Sequence, residues 1–127
     1  MASPIDPLRI RALNAHGQNA AGDCVLYWMT SARRAHYNEG LRYSVELAHQ
    51  FKKPLVIFEA LRCAYPWASD RIHAFMLEGM ADNAKEFSKY PVIYYPYVEP
   101  SPGAGKGLLF QLAERASAVV GDDYPAF

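Results

Sequence analysis

A chain of 127 residues is one domain's worth of protein, long enough to bury roughly two-thirds of its unfolded surface without staples. With 51% apolar and 20% charged residues it is neither a disordered tail nor a coiled coil. Its 13 basic and 13 acidic side chains cancel, which argues against a dedicated nucleic-acid module carrying a net basic field.

Residues 1–23 read as a lead-in and 24–127 as the domain. The opening MASPIDPLRIR carries two prolines and early charges where a signal peptide needs an apolar core, so the expected compartment is the cytoplasm. No stretch approaches the roughly 18 apolar residues of a membrane span. The first apolar run is CVLYWM at 24–29, with Trp28 expected in the core. Asn38 then caps a helix whose Leu41, Ser44, Val45 and Ala48 share a face up to Phe51. A second run, PLVIFE at 54–59, leads to a helix capped by Ser69 or Asp70. Ile72, Phe75, Met76, Gly79, Met80, Asn83 and Phe87 form its expected core stripe. The third run is PVIYY at 91–95. A Pro/Gly-rich loop, YVEPSPGAGKG, opens the third helix through Leu108, Leu109, Leu112, Ala113 and Ala116. The last run is SAVVGD at 117–122.

None of the four runs alternates polar with apolar, which suits strands buried on both faces of a parallel sheet. The order β-α-β-α-β-α-β is that of an α/β, Rossmann-like three-layer sandwich with helices on both faces. Cys24 opens the first strand and Cys63 lies past the second, some 15 Å apart at about 3.3 Å per residue. That is too far for a disulfide, and both are expected as small core residues.

In such a fold ligands bind beyond the carboxyl ends of the strands, near the reversal of strand order. Reading past each strand collects Thr30, Ser31, Arg33 and Arg34, then Glu59 and Arg62, then Glu99 and Lys106, then Asp122 and Asp123. Arginines as forked donors, with acids accepting from ring N–H or hydroxyl groups, suit a polar or anionic cofactor. Strand ends are also polar simply because chains turn there. The loop PSPGAGKGLL fails the pattern GxxxxGK[ST], because Pro100 takes the first glycine position and Gly107 the Ser/Thr position. Asp122 and Asp123 are a divalent-ion pair or a solvated strand end. His16, His36, His49 and His73 are scattered, with no evident nucleophile or carboxylate partner, and no CxxC or HExxH occurs.

The segment VLYWMTSARRAHYNEGL, with LRIRALN before it and RIHAFMLEGM after, resembles the amino-terminal domain of DNA photolyases, most nearly the class II cyclobutane-dimer enzymes. The resemblance runs from about Leu8 to Phe127. It implies a Rossmann-like antenna domain whose chromophore, a deazaflavin or a folate, rests near the carboxyl strand ends. It also implies a separate helical domain, absent from these residues, that binds FAD and splits the pyrimidine dimer by light-driven electron transfer. Damaged DNA would then be met only through that domain, and this chain alone would not repair DNA.

The expected chromophore site on that rim comprises Arg33, Arg34, Asn38, Glu59, Arg62, Lys106, Asp122 and Asp123; of these, Arg34 and Asn38 stand where the family motif has an Arg and an Asn, and Asp122 and Asp123 where related domains place a polar strand end. Ser31 and Ala32 stand where the family shows an Arg-Asp pair. The family's fifth strand is missing, which leaves 117–122 as an unpaired edge open to self-association. Two other readings remain: a stand-alone nucleotide-binding domain using the glycine loop and Lys106, and a non-catalytic interaction module with a vestigial pocket.

Overall fold

In the computed structural model, residues 5–14, 16–63 and 69–122 are described. A single 3-10 turn at Pro7–Arg9 precedes seven alternating elements. These are β1 (Cys24–Met29), α1 (Glu39–Phe51), β2 (Leu55–Leu61), α2 (Asp70–Phe87), β3 (Ile93–Val98), α3 (Leu108–Glu114) and β4 (Ala116–Gly121). All strand pairs are parallel, in the order β3-β2-β1-β4. The chain steps outward from β1 through β2 to β3, then returns to lay β4 on the other side of β1. The strand order therefore reverses between β1 and β4.

Both long helices start where side chains accept from the first free backbone N–H groups. Asn38 Oδ1 takes the Leu41 N–H at 3.0 Å, and Ser69 Oγ takes the Ile72 N–H at 3.2 Å. α1 and α2 cover one face of the sheet, where Val25, Tyr27, Met29, Leu55, Ile57 and Phe87 are buried. The seven-residue α3 alone covers the other, packing Leu108, Leu109, Leu112 and Ala113 over Leu26, Phe58 and Ala116.

This uneven cover explains where the structure departs from expectation. β3 was expected to be buried on both faces but lies at an edge, with Ile93, Tyr95 and Val98 exposed. Pro96 in its middle has no N–H for a further neighbour, which fits only an edge position. Trp28 is not in the core. It lies on the α3 face, 38% exposed, beyond the end of the short helix. α2 also outreaches the sheet: its 18 residues span ~27 Å, against ~20 Å for a six-residue strand. Met80, Asn83 and Phe87 of the expected stripe are buried, but Phe75 is 77% exposed and Ile72 is exposed too. Ala116 opens β4 rather than closing α3. Cys24 and Cys63 are half-buried free thiols; Cys24 packs against the core beside Leu26 and Ala116.

Residues from the segment read as a lead-in brace the start of β4. The Asn19 N–H donates to Ser117 O at 3.0 Å, and Ser117 Oγ donates to Gly22 O at 3.2 Å. Gly22 is required there, because a Cβ would meet the backbone of Ala116 and Ser117 well inside contact distance. Beyond that brace, β4 has β1 as its one strand partner among the described residues.

Candidate functional site

At the carboxyl ends of the strands the polar residues divide between the two faces of the sheet. On the two-helix face they bond mainly to one another and to backbone. Asp122, just past β4, accepts with Oδ2 from the backbone N–H groups of Thr30, Ser31 and Ala32 at 3.0, 3.0 and 3.1 Å. Its Oδ1 accepts from the Tyr27 hydroxyl at 2.7 Å. Burial first, and then the bond to Asp122, push the Tyr27 phenol well above its ordinary pKa. Asn38 closes the same loop from its other end. Its Nδ2 donates to Ala32 O at 2.8 Å, Arg34 O at 3.1 Å and the Tyr27 oxygen at 3.0 Å. Gly40 is needed beside this cluster, since a Cβ there would come within 2.8 Å of Asp122 Oδ1. The crevice at the β1/β4 switch point is thus filled on this face by a latch between the two ends of the sheet sequence.

Glu59, at 1% exposure, anchors a second network. It accepts from the Tyr94 hydroxyl at 2.7 Å, Asn83 Nδ2 at 2.9 Å and Arg33 Nη1 at 3.3 Å. Arg33 also donates to Thr30 O and Ala60 O, tying the β1–α1 loop to the end of β2. Burial and the Glu59 carboxylate raise the Tyr94 pKa strongly. Arg34 is exposed and donates only to the carbonyls of His36 and Tyr37 in its own loop.

The α3 face is different. A groove of about 390 Å³ is lined by Trp28, Phe58, Tyr97, Arg62, Glu99, Lys106 and the glycine loop. Its floor is a row of rings across three neighbouring strands, with Trp28 paired in register with Phe58 and Phe58 with Tyr95. Phe58 and Tyr95 meet edge-on, with centroids 5.6 Å apart. On the other side of Trp28 the register partner is Gly121, which has no side chain to cover the indole. The glycine loop arches over Tyr97 because Gly105 presents no Cβ, which would fall 2.8 Å from the ring. Gly103 and Gly107 have φ of 82° and 84°, left-handed values suited to glycine. Glu99 holds this loop to β2: it accepts from the Gly105 N–H at 3.1 Å and the Cys63 N–H at 3.2 Å. The Gly105 N–H is the main cause of its lowered carboxylate pKa.

Of the residues expected at the site, Arg33, Arg34, Asn38, Glu59 and Asp122 therefore stand in or beside the latch and its network. Arg62 and Lys106 stand on the groove, and Asp123 lies outside the described residues. Sequence reasoning assigned Trp28 to the core and did not single out Tyr97. The signal for both was the parity of the strands, which sets Trp28 and Tyr97 on the face that a single short helix must cover. His36 has a carboxylate partner after all, Glu86 Oε1 at 2.9 Å, which links the β1–α1 loop to the end of α2. A larger, mainly apolar groove of about 690 Å³ runs between α1 and α2 past Leu41, Val45 and Phe87. Among the described residues no cluster of three or more His, Cys, Asp or Glu side chains is placed to hold a metal. Nor is any described helix long and apolar enough to cross a membrane.

No protein-family model matches the chain. It is 32% identical over 114 residues to a deoxyribodipyrimidine photo-lyase of Methanothermobacter thermautotrophicus. The match spans 90% of this chain and 25% of that protein. A match over nearly the whole of one sheet-and-helix unit, in agreement with the motifs read above, identifies what the fold carries. The chain contains a photolyase-related domain.

Proposed function

We propose that the chain is the light-gathering domain of a photolyase-type protein. It holds a deazaflavin or a folate at the carboxyl rim of the sheet and passes the excitation to FAD bound in a separate helical domain. The observation that carries this reading is the likeness to a photo-lyase, found in a domain whose strand ends bear an open groove with aromatic walls and two cations. The protein's work in such transfer is to hold the chromophore rigidly, with no bond made or broken. In this reading Arg33, Arg34, Asn38, Glu59, Arg62, Lys106 and Asp122 build the rim. Repair of pyrimidine dimers in DNA belongs to the longer protein and its helical domain, in the cytoplasm.

Incubating the purified chain with a deazaflavin, a folate and a flavin, then removing free dye by gel filtration, tests the proposal. About one chromophore retained per chain is the expected result, and no retained absorbance with any of them overturns it. Past the brace at its start, the outer edge of β4 is, by the same reading, where a second copy pairs. Concentration-dependent dimers on size exclusion are expected, and a clean monomer at high concentration counts against that pairing.

A further inference from the structure

The groove of about 690 Å³ on the two-helix face exists because of where α2 sits. Asn83 Nδ2 donates to Glu59 at the carboxyl end of the sheet, and Met80 O accepts from the Tyr94 hydroxyl beside it. Residues 70–79 come before that anchor, so ~15 Å of helix stands beyond the strands. Only the stretch down to Phe87 covers them, and past it the face lies open along α1. Leu41, Val45 and Phe87 line this opening together with the charged Arg42, Glu46 and Lys53. The projecting half of α2 is apolar on one flank. Ile72, Phe75, Gly79, Asp82 and Glu86 follow at offsets of 3, 7, 10 and 14, which is one row along a helix. Glu86 bonds His36, so that row runs on the flank facing the β1–α1 loop. At its outer end Ile72 and Phe75 are exposed, with Arg71 and Glu78 beside them in the helical wheel.

We propose that two copies of this chain pair through this face about a two-fold axis, the projecting half of each α2 lying in the α1–α2 groove of the other copy. An apolar knob and an apolar groove stand on one face, displaced in opposite directions along the same helix. A two-fold rotation therefore seats both knobs at once and closes the pair, where a knob and groove on unrelated faces would grow a filament. The rotation also runs the incoming α2 against α1. Arg71, Phe75 and Glu78 then fall in the order Glu46, Val45 and Arg42, with opposite charges meeting on either side of an apolar middle. Glu46 and Arg71 make no hydrogen bond or ion pair with a described residue, so both are available for that contact. Arg42 meets Glu39 on its own helix and contributes a second, shared charge.

Sedimentation velocity over a range of concentrations tests this, on the chain carrying Val119→Lys. That substitution puts a charge on β4 and removes pairing at its edge, leaving the two-helix face as the surface under test. Reversible dimers are expected. Phe75→Ser and Val45→Glu, both at exposed positions, should each raise the dimer dissociation constant roughly 30-fold or more, because the symmetry counts each change twice. Arg71→Glu alone and Glu46→Arg alone should weaken association as well, by setting like charges together. An equimolar mixture of those two variants should dimerise like the parent, since a mixed pair restores opposite charges at both contacts.

A folded Val119→Lys chain that stays monomeric at every concentration overturns the pairing. So does a dimer indifferent to Phe75→Ser and Val45→Glu, or a mixture that associates no better than its two components. If Val119→Lys fails to fold, the same mixture in the unaltered chain decides, because an interface at β4 contains neither Arg71 nor Glu46. Recovery of mass on mixing then supports the two-helix face, and its absence excludes it. Association abolished by Val119→Lys and untouched by the other variants assigns the contact to β4 instead.

Discussion

Glu59→Ala should destabilise the fold by about 3 kcal/mol and lower the melting temperature by roughly 10 °C. Glu59 is 1% exposed and is the shared acceptor of Tyr94, Asn83 and Arg33. Removing it takes from the Tyr94 hydroxyl and the Asn83 amide their shortest bonds and leaves them the longer ones to Met80 O at 3.4 Å and Arg33 O at 3.3 Å, at a cost in the lower half of roughly 1–3 kcal/mol each. Arg33, whose side chain is 27% exposed and which keeps two carbonyl acceptors, turns partly to water and adds little. Glu59→Gln retains one acceptor oxygen and should fall between the two. Urea unfolding read by circular dichroism measures all three chains. A Glu59→Ala midpoint equal to the parent's would mean that the network supports nothing.

Asp122→Ala is the second large effect, about 2–3 kcal/mol, with the loss concentrated in the β1–α1 loop. Three backbone N–H groups lose their acceptor at once, and the Tyr27 hydroxyl loses its shorter one, keeping Asn38 Oδ1 at 3.1 Å. The cost per group is softened because water reaches the exposed Ser31. Asp122→Asn keeps one oxygen and should recover about half. The same site contributes to the response to alkali, alongside Tyr94, whose pKa is also raised strongly. The Tyr27 pKa is raised in the fold by burial and by Asp122, so the unfolded chain ionises first. The stability gained by keeping that proton is fully present below roughly pH 10 and is lost as the pH rises beyond it. Tyr27→Phe should flatten the decline of the urea midpoint above pH 10. An unchanged slope would show that Tyr27 does not carry it.

Much of this molecule is readable from residue order alone. Continuous apolar runs marked all four strands to within three residues at each end, and Asn38 and Ser69 marked two helix starts, because these signals are local. What resisted reading depends on lengths and neighbours. Trp28 has the composition of a core residue, and only the seven-residue length of α3 leaves it uncovered. Ile72 and Phe75 obey the helical period yet project past the sheet, since α2 is longer than the strands it lies on. Pro96, just beyond the expected third strand, is a mark of an edge strand in the sequence itself. Reading past each strand collects residues at one end of the sheet, but the division of the described ones into a latch and a groove needs the strand order. Asp122 and Thr30 are 92 residues apart, and no spacing rule joins them.

That separation has a consequence for synthesis. β1 leaves the ribosome ahead of β2 and β3, so that it can pair with β2, and β2 in turn with β3. Its other flank stays bare until residues 116–121 emerge, close to the end of the described chain. The loop at 30–38 likewise waits for Asp122 before its backbone N–H groups find their acceptor. Until β4 follows, the three strands β1, β2 and β3 leave an adhesive inner edge and an unset loop, and β4 ends both conditions in one step.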